Sequence, residues 1–187
     1  MNIANKLTIG RIFLSFICIG FILGNNLICF LIAFLIFILA SITDFLDGYL
    51  ARKLNLVSDL GKLLDPVADK ILMIGVFLAF LQLQVINAWM VSVIMLREFV
   101  ITSLRLYSLN RGIILEARRC GKHKTVSQIV AVVFIFIVLI LQEIFHNDLV
   151  YFFYSKVIPF IMLYVVGITL FSGIYYLWVN RKTIRTF

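Results

Sequence analysis

Residues 12–43 read IFLSFICIGFILGNNLICFLIAFLIFILASIT, and no side chain in that stretch carries a charge. The hydrocarbon core of a bilayer takes about 20 helical residues, so the run is too long for one comfortable crossing. Gly24-Asn25-Asn26 offers a turn at its middle. The stretch therefore predicts two helices, near Thr8–Leu23 and Leu27–Leu50, joined by a tight connection. The first apolar run flows directly into the second, as in a membrane anchor rather than a cleaved leader.

Working outward, residues 51–65 (ARKLNLVSDLGKLLD) form the first polar stretch, in which Asp59 reads as a loop residue. Asp65-Pro66 reads as an N-cap followed by proline at the first helical position, opening a third helix. That helix runs to about Leu83, and Gln82 to Asn87 supplies a turn. A fourth, about Ala88–Leu109, carries Arg97, Glu98 and Arg105. A basic segment, RGIILEARRCGKHK, follows, and the uncharged runs 125–142 and 157–180 supply two more helices. No internal repeat, low-complexity stretch or linker interrupts the pattern. The expected architecture is all-α: a single domain over 1–187, an integral membrane bundle of six transmembrane helices.

Composition agrees. Of 187 residues, 63% are hydrophobic and 14% charged, far from the balance of a soluble domain. A soluble core of this size could not hide so much apolar surface. Lipid can cover it, and the phenylalanines suit lipid-facing and helix-packing positions alike. Cys18, Cys29 and Cys120 show neither metal spacing nor a paired framework, and read as packing residues.

The net charge of +8 would raise the question of nucleic acid in a soluble protein. Here the basic residues sit in short clusters between apolar runs, which points to anionic membrane lipid and phosphorylated small molecules, not nucleic acid. Of the 17 Lys and Arg, Lys156 alone falls in the connections at 24–26, 82–87 and 143–156. The other sixteen belong to the N-terminus, the 51–70 and 97–124 regions and the tail. By the positive-inside rule both termini are expected in the cytoplasm.

Four aspartates stand out against this apolar background. Asp44 and Asp47 lie three apart near the end of the second helix, and Asp65 and Asp69 four apart at the start of the third. Each pair shares a helix face, and the intervening hairpin is expected to bring both pairs to one depth. Four clustered carboxylates repel strongly in a low-dielectric setting unless cations compensate them. Hard oxygen ligands select Mg²⁺, Mn²⁺ or Ca²⁺, and two facing pairs suit two ions clamping a phosphoryl displacement. Capping and loop roles would explain single aspartates but not two spaced pairs with Gly48, Ala51 and Gly61 interleaved.

Residues 44–69, DFLDGYLARKLNLVSDLGKLLDPVAD, resemble the signature of the CDP-alcohol phosphotransferases, D-x2-D-G-x2-A-R-x8-G-x3-D-x3-D. Asp44, Asp47, Gly48, Ala51, Arg52, Gly61, Asp65 and Asp69 fill every specified position, and the six-helix pattern extends the likeness to the whole chain. The resemblance implies transfer of a phospho-group from a CDP-linked donor to an alcohol, with release of CMP. It makes Asp44, Asp47, Asp65 and Asp69 the site of two ions, Mg²⁺ or Mn²⁺. Asp69 would also be the base that deprotonates the acceptor hydroxyl. Thr8, Asp44, Gly48, Ala51, Arg52 and Gly61 would bind the CDP-diacylglycerol donor. It further implies a homodimer in a cell membrane, here a bacterial inner membrane, with the site facing the cytoplasm.

The fourth helix adds a second signal. At 1.5 Å per residue Arg97 lies about 13 Å beyond Ala88. An arginine at that depth costs about 3 to 10 kcal/mol unless it faces a wet cavity or a partner. A structural Arg–Glu pair would answer the cost, and so would an anion pocket open to the cytoplasm. REFVITSLR (97–105) and GKHKT (121–125) resemble the RE-x3-TGLR and GK-x-KT segments of the phosphatidylglycerophosphate synthase branch, with Ser103 where glycine is usual. By that resemblance Arg97, Arg105 and Lys122 would bind the phosphate of sn-glycerol 3-phosphate, while Arg111, Arg118 and Arg119 answer to topology alone. His123 and His146 have no partner at ligand spacing. The expected activity is transfer of the phosphatidyl group of CDP-diacylglycerol to sn-glycerol 3-phosphate. Rivals are sister enzymes with another acceptor (phosphatidylinositol-phosphate, phosphatidylserine or cardiolipin synthases), a small transporter, or a lipid-binding scaffold. A transporter would more often show broken helices or repeats, and a scaffold leaves four aspartates without a reason.

Overall fold

The computed structural model describes the backbone of residues 3–54, 59–110, 120–145 and 147–181. Side chains are described for 9–43, 68, 70–108, 123–145 and 147–181. All regular structure there is helical: α1 (Ile3–Leu23), α2 (Leu27–Leu54), α3 (Asp59–Gln82), α4 (Ala88–Asn110), α5 (Cys120–Ile144), α6 (Asp148–Phe152) and α7 (Ile158–Val179). A π-helical turn, Phe153–Val157, joins α6 to α7, so Asp148–Val179 runs as one rod of 32 residues.

The connections follow from local chemistry. At the α1–α2 turn Asn25 adopts φ 48°, a left-handed conformation that asparagine tolerates better than most residues. Asn26 caps α2, its Oδ1 accepting from the Cys29 N–H at 2.9 Å. Between α3 and α4 the chain turns at Gln84, with φ 58°.

The third helix corrects the expectation drawn from Asp65-Pro66. It opens at Asp59, so Asp59 is helical rather than a loop residue, and Asp65 lies inside the helix rather than capping it. Leu60, Leu63 and Leu64 recur at helical spacing and carry the apolar stripe back past the proline. Pro66 removes one backbone donor, a local loss. The fifth helix likewise begins at Cys120, ahead of the expected 125, which puts Lys122 and Lys124 within it.

α1 packs along both α2 and α3, α5 along α2 and α7, and α4 joins α3 to α7. Gly75 of α3 lets α1 come close: a Cβ there would stand 2.5 Å from Ile19 Cδ1. The Phe136 ring of α5 gathers Phe34 and Phe37 of α2 and Phe80 of α3, at centroid distances of 5.5, 5.9 and 5.2 Å. Cys18 is fully buried in this core, as a packing cysteine should be, and Cys29 is half-buried.

Many large apolar side chains also face outward. Phe160 is 74% exposed, Leu149 67% and Phe13 66%, with Leu35, Phe171 and Ile174 similarly bare. Such continuous exposed apolar surface suits lipid. His123–Ile144 (22 residues) and Asp148–Val179 (32 residues) are long and apolar enough to cross a membrane.

Candidate active site

The aspartate motif is divided between two helices. α2 carries Asp44, Asp47, Gly48, Ala51 and Arg52 before it ends at Leu54, and α3 carries Gly61, Asp65 and Asp69 in its first half. On helical backbone, spacings of three and four put each aspartate pair on one face. Ala68, beside Asp69, is fully buried, so this turn of α3 is packed within the bundle. The side chains of the four aspartates, Gly48, Ala51, Arg52 and Gly61, together with Thr8 on α1 and Lys122 on α5, lie outside the described residues. His146 does too, while His123 is exposed, as an interfacial residue should be.

Next to Asp69 the side-chain geometry begins. Lys70 donates from Nζ to the backbone carbonyl of Glu98 at 3.0 Å and stands 4.0 Å from Glu98 Oε2. Within α4 the same carbonyl also accepts the Thr102 hydroxyl at 2.7 Å. The Lys70 contacts tie the aspartate-bearing α3 to α4.

Glu98 is the centre of a charge cluster. Its Oε1 accepts from Lys124 Nζ of α5 and from Arg97 Nη1, the latter at 3.3 Å. Lys124 is 5% exposed, so its ammonium has exchanged water for this carboxylate. Arg97 extends across α4 to α7, where Nη2 donates to Ser172 Oγ at 2.9 Å. Its stem lies over Gly173, and a Cβ at that glycine would meet Arg97 Cγ at 3.0 Å. A larger residue at 173 would displace the arginine.

Both readings of Arg97 therefore find their residues. It has its acidic partner in Glu98, and it also belongs to a group of cations near the aspartate helix. Among the described side chains, Arg97, Lys124 and Lys70 face the one carboxylate of Glu98. Arg105 lies two turns further along α4 and is exposed. The sequence reading named Arg97 and Arg105 but gave Lys70, Ser172, Tyr176 and Arg11 no role. Arg11 is 3% exposed on α1, the helix lying along both aspartate-bearing helices. It was legible only as a lone charge at the edge of an apolar run.

The sequence pattern of the CDP-alcohol phosphatidyltransferases matches residues 1–171. A Bacillus subtilis protein is 43% identical over 143 residues, covering 70% of this chain and 74% of its own. A Mycoplasma genitalium protein is 37% identical over 150 residues, covering 71% of this chain and 64% of its own. A Rickettsia felis protein is 40% identical over 131 residues, covering 70% and 72%. All three are named CDP-diacylglycerol–glycerol-3-phosphate 3-phosphatidyltransferase.

Proposed function

The chain belongs to the CDP-alcohol phosphatidyltransferase family, and from that premise we propose that it transfers the phosphatidyl group of CDP-diacylglycerol to sn-glycerol 3-phosphate, giving phosphatidylglycerophosphate and CMP. The reading rests above all on one observation. Buried Lys124 and half-buried Arg97 and Lys70 meet at Glu98, and Lys70 stands on the α3 turn next to Asp69, which supports a phosphate-binding charge and a candidate base in one neighbourhood.

In this reading the four aspartates would hold two divalent ions, Mg²⁺ or Mn²⁺. Their fit lies in the donor set: four hard carboxylate oxygen donors in two helix-spaced pairs. Ions so bound would neutralise the pyrophosphate and stabilise CMP as leaving group. Asp69 takes the proton from the acceptor hydroxyl, whose oxygen attacks the phosphorus bonded to the diacylglycerol oxygen. The bond from that phosphorus to CMP breaks. Gly48, Ala51, Arg52 and Gly61 line the donor's nucleotide and pyrophosphate, with Thr8 reaching the nucleotide from α1. Arg97, Arg105 and Lys122 orient the acceptor through its phosphate, with charge-assisted bonds to a dianion.

The chain is proposed to act as a single domain of six transmembrane helices, both termini cytoplasmic, in a cell membrane. The donor's acyl chains stay in lipid while its pyrophosphate reaches the cytoplasmic interface. The family resemblance is the ground for proposing a homodimer.

The test is CMP release by purified protein with CDP-diacylglycerol and a panel of alcohols. Glycerol 3-phosphate is expected to support turnover, and serine or free inositol not. Arg105→Gln and Lys122→Gln should each raise the KM for glycerol 3-phosphate, and not that for the donor, by about ten- to a hundredfold. Turnover with inositol 1-phosphate instead would keep the family chemistry and overturn the acceptor.

A further inference from the structure

We propose that Ser172 and Tyr176 of α7 form the far wall of the acceptor-phosphate subsite, donating their hydroxyls to the phosphate that Arg97 holds. The proposal builds on the phosphorylated acceptor argued above and assigns it two residues from a helix outside every motif of the sequence.

The register of α4 and α7 carries the argument. Arg97 bonds Ser172, and one turn further along each helix Ile101 packs against Tyr176. Both steps are +4, so the two helices run parallel through this contact, with Ser172 and Tyr176 on one face of α7. A long helical side chain leans back toward the N-terminus of its own helix. The Tyr176 ring therefore leans back over the turn of α7 that holds Ser172, the residue Arg97 bonds.

Three donors on this pair of turns lack an acceptor among the described residues. Arg97 Nε and Tyr176 Oη are buried and have no hydrogen-bond partner among the described residues. Ser172 Oγ accepts from Arg97, and its own proton has no acceptor among the described residues. Unpaired buried donors are rare and costly, and point to a group that completes them. A single water offers two lone pairs and no charge. A phosphate dianion offers several oxygens and meets the cations Arg97 and Lys124 as well. Gly173 fits the same picture, because its bare Cα lets the arginine stem pass close to α7 and reach Ser172. A free alcohol would satisfy the hydroxyls but not the charge, so this wall selects a phosphorylated acceptor.

Steady-state CMP release by the full chain in mixed micelles tests this, with inorganic phosphate as a second probe. Tyr176→Phe keeps the ring against Ile101 and removes only the hydroxyl. It should raise the KM for glycerol 3-phosphate roughly tenfold, and Ser172→Ala by roughly threefold, while the KM for CDP-diacylglycerol stays within about twofold. Inorganic phosphate, competing with the acceptor, should lose potency by a similar factor in Tyr176→Phe. Tyr164→Phe, on the exposed face of the same helix, should change neither constant. If both variants keep the wild-type KM and phosphate inhibition, the two hydroxyls do not touch the acceptor and the inference fails. Because phosphate inhibition can be read with whichever alcohol is turned over, that failure is separable from a wrong acceptor.

Discussion

At Glu98 one carboxylate meets cations drawn from three helices: Lys70 on α3, Arg97 on α4 and Lys124 on α5. Removing one partner of a buried ion pair costs about 3–5 kcal/mol, because the remaining charge stays buried and unpaired. Glu98→Leu should therefore melt well below the wild type in detergent and lose turnover. Adding Lys124→Met should restore part of the melting temperature without restoring activity, since an apolar pair can replace a buried ionic one but binds no phosphate. A single variant that melts like the wild type would refute the role given to Glu98. Asp69→Asn makes the contrasting case: it should fold and still gain thermal stability from CDP-diacylglycerol, yet release no CMP. Asp44→Asn, Asp47→Asn or Asp65→Asn should lose activity by orders of magnitude, chelation should silence the wild type, and Mg²⁺ or Mn²⁺ should restore it. Near-normal turnover in Asp69→Asn would remove it as the base. The aspartates could be read from sequence because their chemistry is written in local spacing. Glu98 and Lys124 are 26 positions apart, and Arg97 and Ser172 are 75. No local pattern announces such partners, so Lys124 read as a topology signal and Ser172 as nothing.

At the scale of the helices, apolar periodicity proved a better guide than punctuation. The uncharged run at 12–43 divided at Gly24-Asn25-Asn26 as expected, because asparagine suits both the left-handed turn and the cap. Asp65-Pro66 misled because a proline at a helix start and a proline inside a helix share the same neighbours in sequence. Only the leucines at 60, 63 and 64 distinguished them. The practical consequence concerns Gly75, where α1 comes close to α3. Gly75→Val would push into Ile19, and overpacking of this kind costs about 1–3 kcal/mol. α1 should then shift against α3, the helix that carries Asp65 and Asp69, so activity should fall together with melting temperature. Ile19→Ala in the same chain should recover both, since it empties the space the valine needs. If the double variant is no better than the single one, the glycine serves something other than this helix contact.

For the molecule as a whole the prediction concerns which way the bundle faces. Sixteen of the 17 basic residues belong to the N-terminus, the 51–70 and 97–124 regions and the tail, and Lys156 alone to the alternate connections. Transferring a charged loop across a membrane is costly, and short loops obey the positive-inside rule most faithfully. The two long apolar rods give the prediction its landmarks. His123 opens the first and is exposed, whereas Leu149 lies near the start of the second and is 67% exposed. In a chain whose native cysteines have been replaced, Leu149→Cys should react with an impermeant thiol reagent added to intact cells. His123→Cys should react only after the membrane is opened. His123 near the start of α5 and Leu149 beyond its end bracket one apolar span, so the pair tests a single crossing and does not depend on the helix count elsewhere. The outcome also bears on chemistry. The cationic cluster at Lys124 lies one residue beyond His123, toward the membrane interior, and Asp69 is joined to it through Lys70 and Glu98. A cytoplasmic His123 therefore puts the site where a cytosolic phosphorylated alcohol can reach it. Labelling of His123→Cys from outside would reverse the bundle and remove the water-soluble acceptor from its reach.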